Sequence, residues 1–255
     1  MTKRNTQIRR SAIASLVEEQ GEVTVEELAK HYQTSEVTIR KDLASLEQSG
    51  QLLRRYGGAV SLPKETPSEE LELTVSEQKL SLATVAASLI HDHNRILIDS
   101  GSTTGALISQ LGSKKGLLVM TNSLTAANAL NELESEPTLL MTGGTWDAHS
   151  DSFQGQVAEV ALRSYDFDQL FIGADGIDLE RGTTTFNELI GLSRVMAEVS
   201  RQVIVMIESD KIGRRIPNLE LAWECIDIVV TDKHLSDEYK QIIESKSVRV
   251  IRAER

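Results

Sequence analysis

Thr34-Ser-Glu-Val-Thr-Ile-Arg-Lys-Asp-Leu-Ala-Ser-Leu-Glu-Gln-Ser-Gly50, running on to Arg54-Arg-Tyr-Gly-Gly58, holds a short amphipathic helix and a basic hairpin. On a helix starting at Glu36, residues Ile39, Leu43 and Leu46 fall within about 60° of one another and form a narrow apolar stripe. Val37, Arg40, Lys41, Ala44 and Gln48 point away from it. Ser35 suits the N-cap, Glu36 the positive end of the helix dipole, and Gly50 the left-handed residue that ends a helix. Upstream, Thr24 and Glu27 have capping-box spacing before a helix with Leu28 and Ala29, and Ile8, Ile13, Leu16 and Val17 suit a first helix. Three short helices and a hairpin predict a winged helix-turn-helix.

Such a module lays the second helix of the turn in the major groove of DNA, with its first residues at base edges and basic residues at phosphates. Ser35, Val37, Thr38, Arg40 and Lys41 are the candidates on the helix, and Arg54 and Arg55 on the wing. Val37 stands opposite the core stripe, where it suits a thymine methyl; the alternative is that it packs on the preceding helix. Arg40 has the alternative of a solvated surface charge.

These residues, Val25-Glu-Glu-Leu28 through Ser35-Glu-Val-Thr-Ile-Arg-Lys-Asp-Leu43 to Arg54-Arg-Tyr-Gly-Gly58, resemble the amino-terminal signature of DeoR-type (glycerol-3-phosphate-repressor-like) bacterial sugar-operon regulators. Within that family the likeness is to the glucitol and N-acetylgalactosamine operon subgroup. It covers nearly the whole chain.

At 255 residues the chain has room for this small domain and a larger one with its own core. Its net charge of -11 speaks against DNA until it is divided. Residues 1–62 hold nine Lys/Arg against eight Asp/Glu, and the remainder eighteen against thirty. The acidity therefore belongs to the second domain. Positive field in the first must come from placement of Lys3, Arg4, Arg9, Arg10, Arg40, Lys41, Arg54 and Arg55. A near-neutral module binds modestly, so a homo-oligomer, dimer or tetramer, is expected to engage several half-sites. Apolar runs fall short of the roughly 20 residues that cross a bilayer, and no apolar leader follows Met1, so no membrane partner and a cytoplasmic address are expected. Cys225, the only cysteine, reads as a small buried apolar residue.

Ser61-Leu-Pro-Lys-Glu-Thr-Pro-Ser-Glu-Glu70 carries two of the four prolines without apolar periodicity. It marks a linker over 61–76 between the winged helix-turn-helix at 1–60 and a second domain at 77–255. Thr74 and Glu77 have capping-box spacing ahead of a helix with Leu80, Leu82, Val85, Ala86, Leu89 and Ile90. Beyond it, Ile96-Leu-Ile-Asp, Leu117-Leu-Val-Met-Thr, Thr138-Leu-Leu-Met, Gln169-Leu-Phe-Ile-Gly, Val203-Ile-Val-Met-Ile, Asp227-Ile-Val-Val and Val248-Arg-Val-Ile alternate with helical patterns. That predicts a mostly parallel α/β sheet, whose ligands bind at the strands' carboxyl ends.

Polar groups gather at those ends. Asp99-Ser-Gly101-Ser102-Thr103-Thr104 is a strand-to-helix turn rich in hydroxyls and backbone N–H groups, suited to an anion. Taken alone it also fits an ordinary capped turn. Thr121-Asn122-Ser123 offers amide and hydroxyls, Gly143 and Gly144 allow close backbone approach, and Asp175 closes another strand. Asn187, Glu188 and Lys211 complete a set of both charge signs. Lys211 suits an anionic ligand, and Asp99, Asp175 and Glu188 suit sugar hydroxyls.

The same positions resemble the sensor half of the DeoR-type family, whose fold is similar to ribose-5-phosphate isomerase and the coenzyme A transferases. The resemblance implies an effector that is a phosphorylated sugar or sugar alcohol and that weakens operator binding, with no cofactor, no metal and no catalytic residue. One departure is Glu208-Ser-Asp-Lys211, where many relatives have Asp-Ser-Ser-Lys; it places Asp210 beside the cation. The rival class is an isomerase-like enzyme using Asp175, Glu188 and Lys211 on a sugar phosphate. His91-Asp-His93 reads as loop polarity rather than a metal site. Trp146 and His149 fall in a loop over the site, as a lid or as plain surface packing.

Overall fold

Two units make up the chain, Met1–Glu70 and Leu71–Arg255. The computed structural model describes residues 3–48, 52–55, 57–60, 76–148, 150–187, 190–214 and 216–254.

In the first unit α1 (Lys3–Gln20), β1 (Glu22–Thr24), α2 (Val25–His31), α3 (Glu36–Gln48), β2 (Leu53–Arg55) and β3 (Gly58–Val60) follow in order. The expected capping box opens α2: Thr24 Oγ1 accepts from Glu27 N at 3.2 Å, and Glu27 Oε2 accepts from Thr24 N at 2.8 Å. The apolar stripe of α3 closes the core, with Ile39, Leu43 and Leu46 buried against Ile13, Val17, Leu28 and Leu52. Each such side chain contributes about 1.5–3 kcal/mol. The wing is an antiparallel sheet in the order β1-β3-β2. Gly58 is required there, because a Cβ would sit 2.5 Å from the Val23 carbonyl oxygen. The expected roles of Gly50 and of the Ile8 side chain fall outside the described residues.

The second unit opens with α4 (Glu77–Ser88). Its N-cap is Ser76, whose hydroxyl accepts from Lys79 N at 3.3 Å. This corrects the expected Thr74–Glu77 box; Thr74 lies outside the described residues, as does the linker reading apart from Ser76. Then come β4 (Arg95–Ile98), α5 (Ser102–Ile108), β5 (Leu118–Thr121), α6 (Leu124–Asn131), β6 (Thr138–Met141), β7 (Thr145–Asp147), β8 (Ser152–Gln154), α7 (Gln156–Leu162) and β9 (Gln169–Ile172). The chain continues through β10 (Gly176–Asp178), β11 (Gly182–Thr185), α8 (Gly191–Glu198), β12 (Val203–Met206), β13 (Asn218–Ala222), β14 (Ile228–Asp232), α9 (Asp237–Glu244) and β15 (Arg249–Ala253).

The seven expected strands form one sheet in the order β15-β14-β12-β9-β4-β5-β6, and its pairings are parallel throughout. Alternate residues feed two cores, one per face. Leu97, Leu170, Ile172 and Val205 pack with Leu162 of α7 and Val195 of α8, while Ile96, Ile98, Phe171 and Ile204 pack with Leu82 of α4 and Leu107 of α5. A sheet covered on both faces needs apolar residues on both, which is why its strands read as continuous apolar runs. Two elements escaped the sequence reading: an antiparallel sheet β10-β11-β13 and a hairpin β7-β8. Cys225 is exposed, in a 3-10 turn at Trp223–Cys225, contrary to the expected burial; the neighbouring Trp223 fills the apolar site instead. No helix among the described residues is long and apolar enough to cross a membrane.

Candidate functional site

The DNA-facing candidates start at the turn before α3. Ser35 caps it, its hydroxyl accepting from Thr38 N at 3.2 Å and lying 2.9 Å from the Thr38 hydroxyl. Val37 is 59% exposed, so it does not pack on the preceding helix. Lys41 is exposed, and Arg40 is exposed in an i,i+4 ion pair with Glu36 at 2.6 Å. Arg54 and Arg55 lie on β2, opposite Ala59 and Gly58.

Arg9 and Arg10 have a different task from the one expected. Both guanidinium groups bind the buried Asp42 of α3, at 2.7 and 2.9 Å, and Arg10 also donates to the Ser45 hydroxyl at 2.7 Å. Their charge is spent on fixing α1 to α3 rather than on an outward field. Such a buried carboxylate is tolerated only because two cations and a hydroxyl meet that side of the helix.

In the second unit the turn after β4 is built from within. Thr104, fully buried, donates to the Asp99 and Gly101 carbonyls at 3.0 and 3.1 Å, and Gly101 adopts a φ of +139° that only glycine takes readily. Thr104 is therefore a builder of the loop, whereas Ser102 is exposed and its hydroxyl accepts from the Lys79 ammonium at 2.6 Å. At β5 the same division recurs. Thr121 Oγ1 accepts from Ser123 N at 3.1 Å and Ser123 Oγ accepts from Ala126 N at 3.2 Å, so both shape the turn. Between them Asn122 is buried and hydrogen bonds to Asp99, while its amide oxygen has no hydrogen-bond partner.

Beyond β6, Gly143 has a φ of +62° and open space where a Cβ would be, whereas a Cβ on Gly144 would meet the Gln154 carbonyl at 2.5 Å. Gly144 thus lets the β7-β8 hairpin fold back, and Phe153 N donates to the Asn122 carbonyl at 2.8 Å. Trp146 lies on this hairpin in edge contact with Phe153 at 5.2 Å; His149 is outside the described residues.

Asp175, after β9, accepts from the Thr185 hydroxyl at 2.7 Å and from Phe186 N at 3.0 Å. Asn187 N donates to Thr185 Oγ1, and its carbonyl accepts from Asn218 at 3.2 Å. Asp178 is engaged in the β10-β11 turn, bound by Arg181 at 2.7 Å. Glu188 lies outside the described residues. Lys211 ends a 3-10 turn at Ser209–Lys211 that runs along β10 through the Ile177–Ile212 bridge. Its neighbour Asp210 forms an exposed i,i+4 ion pair with Arg214 at 2.6 Å.

The sequence reading missed Glu220. It sits buried on β13, accepts from the Ser193 hydroxyl at 2.8 Å and the Thr183 hydroxyl at 3.4 Å, and feels the charges of Asp99 and Asp175. Burial first, then those two carboxylates, pushes its pKa to about 8. Asp99 is raised to about 6, chiefly by burial and further by Asp175, against hydrogen bonds from Ser100 and Asn122. Asp99, Asn122, Asp175 and Glu220 therefore converge, an acceptor-rich end suited to a ligand that brings hydroxyl donors. No group of three or more metal-ligating side chains of the His, Cys, Asp and Glu type occurs among the described residues. His91 and His93 belong to the turn between α4 and β4. Glu220 also lines a cleft of about 490 Å³, with Arg194, Arg201, Leu219 and Cys225, that reaches Val203 at the start of β12.

Comparison with known proteins agrees with both halves. The DeoR-like helix-turn-helix domain matches residues 9–65, and the DeoR C terminal sensor domain matches residues 74–233. A putative aga operon transcriptional repressor of Escherichia coli O157:H7 is 38% identical over 96% of this chain and 93% of that protein. The transcriptional regulator GlpR of Haloferax volcanii is 32% identical over 95% and 96%, and the repressor GlcR of Bacillus subtilis 30% over 94% and 93%. Among solved structures, ribose 5-phosphate isomerase A of Methanocaldococcus jannaschii is 20% identical over 52% of this chain and 53% of that one, with a TM-score of 0.38. The named relatives regulate transcription, which sets the isomerase reading aside. Matched along both units, the chain belongs to the DeoR family of transcriptional regulators.

Proposed function

We propose that the chain is the repressor of a sugar or sugar-alcohol utilisation operon and leaves its operator when a phosphorylated sugar or polyol enters the second unit. The observation that carries this reading is the convergence of Asp99, Asn122 and Asp175 from three neighbouring strand ends. Carboxylates and an unpartnered amide oxygen take ligand hydroxyls, while Ser102, Gly143 and the Lys211 turn stand along the same row of strand ends. The DNA contacts fall to Ser35, Val37, Thr38, Arg40 and Lys41 with the basic wing. A dimer or tetramer acting in the cytoplasm holds paired modules at half-site spacing, and the ligand shifts it to an arrangement that no longer matches.

The test has two stages. Operator sequence is first selected from random duplexes on the purified protein. A thermal-shift screen of sugar phosphates, polyol phosphates and their parents then identifies ligands, since stabilisation grows with concentration over Kd. A stabilising phosphate that also releases the duplex is the expected result. Stabilisation without release, or no stabilisation by any member, would sink the reading.

A further inference from the structure

Lys79 stands in the first turn of the twelve-residue α4, and its ammonium donates to the Ser102 hydroxyl at 2.6 Å. A cation there is on the unfavourable, positive end of the helix dipole. Among the described residues it has no carboxylate within ion-pair distance, unlike Arg163, Arg181, Arg214 and Lys240 of the same unit. Among the described residues its charge is met by a neutral hydroxyl, on the loop whose shape Thr104 and Gly101 hold from the inside. Asp99, which opens that loop, is hydrogen bonded by the Asn122 side chain and lies within the electrostatic reach of Asp175 and Glu220. One stretch of six residues thus has, at Ser102, a cation with no carboxylate partner among the described residues and, at its start, Asp99 with its neighbour Asp175.

We propose that Lys79 is the cation that meets the effector's phosphate at residues 100–102, so that the ligand lies with its phosphate at α4 and its hydroxyls toward Asp99 and Asp175. This rests on the reading of the second unit as a sensor of phosphorylated sugars, and it adds a contact from a helix that the strand-end pattern does not reveal. A phosphate accepts from the ammonium and from the Ser102 hydroxyl together, replacing one neutral partner by a charged one. Lys211, by contrast, approaches from the far side of β9.

The experiment compares wild type, Lys79→Met, Lys79→Arg and Ser102→Ala in thermal-shift titrations. The probes are pentose, hexose, amino-sugar and hexitol phosphates, each beside its unphosphorylated parent. Lys79→Met is expected to weaken the best phosphorylated probe at least tenfold and leave the parent unchanged, with Lys79→Arg intermediate and Ser102→Ala weaker by a few-fold. Lys79 is half-buried, so unchanged melting without ligand is the check on folding. If wild type and Lys79→Met bind the phosphorylated probe equally, the assignment of Lys79 is overturned while the sensor reading stands. If no phosphorylated probe stabilises wild type, both fall together.

Discussion

The Ser193 hydroxyl of α8 donates to Glu220 Oε1 of β13 at 2.8 Å, holding a buried carboxyl beside Asp99 and Asp175. Glu220 and Asp99 have folded-state pKa values of about 8 and about 6, above their ordinary 4.5 and 3.8, because burial disfavours their charged forms. The folded state therefore holds protons that the unfolded chain releases. Their stabilising contribution is full below about pH 4 and is lost as pH rises through about 6 and then about 8. The melting temperature of the second unit is expected to fall by several degrees between pH 6 and 9. Glu220→Gln should flatten the upper part of that fall; an unchanged slope would show that Glu220 is not the group responsible.

Asp42→Ala should cost roughly 3 kcal/mol, because it takes the shared carboxylate from two partly buried guanidinium groups. A unit of this size has little reserve. Circular dichroism of the variant is expected to show loss of the first unit's helices and of duplex binding, with ligand stabilisation of the second unit retained. Native-like melting of the first unit would mean that the clamp is dispensable.

The parallel sheet was legible because strands buried on both faces need apolar residues at consecutive positions, so Ile96, Leu97 and Ile98 announce themselves. Glu220 was not, since Asn218-Leu-Glu-Leu-Ala222 alternates polar and apolar, as a half-exposed edge also would, and its partners Ser193, Asp99 and Asp175 are distant in sequence. Arg9 and Arg10 were misread for a related reason. Sequence does not distinguish a cation facing solvent from one facing a carboxylate more than thirty positions away. A clue existed, however: Asp42 follows Ile39 by three and precedes Leu46 by four, which puts an acid on the core face of α3, where it needs a partner. Among the strand-end residues, composition identified the turns but not the division of labour within them, in which Thr104, Thr121 and Ser123 shape the loops around Ser102 and Asn122.

In the proposed DNA contact, Arg40 exchanges its Glu36 ion pair for the duplex. Arg40→Ala should cost about 1–3 kcal/mol of duplex binding and leave ligand stabilisation intact. Glu36→Gln, which frees the guanidinium from its 2.6 Å ion pair, should tighten binding by a few-fold at low salt. Fluorescence anisotropy on the selected duplex measures both. Equal affinity of wild type and Arg40→Ala would remove Arg40 from the interface.

The hairpin over Asn122 supplies its own reporter. Trp146 is 41% exposed on β7, whereas Trp223 is 4% exposed with its indole N–H on the Leu179 carbonyl at 3.2 Å, so these two tryptophans differ sharply in access to solvent. If the hairpin closes over a bound ligand, acrylamide quenching of Trp146 should fall on addition of the phosphate found in the screen, while Trp146→Phe removes the change. Gly144→Ala sharpens the test. Its Cβ would strike the Gln154 carbonyl at 2.5 Å from a φ of +113°, so the hairpin should lift. That variant is expected to show Trp146 fully quenchable with or without ligand and to bind the ligand more weakly. Quenching that is insensitive to ligand in the wild type would make the Trp146–Phe153 contact surface packing and not a lid.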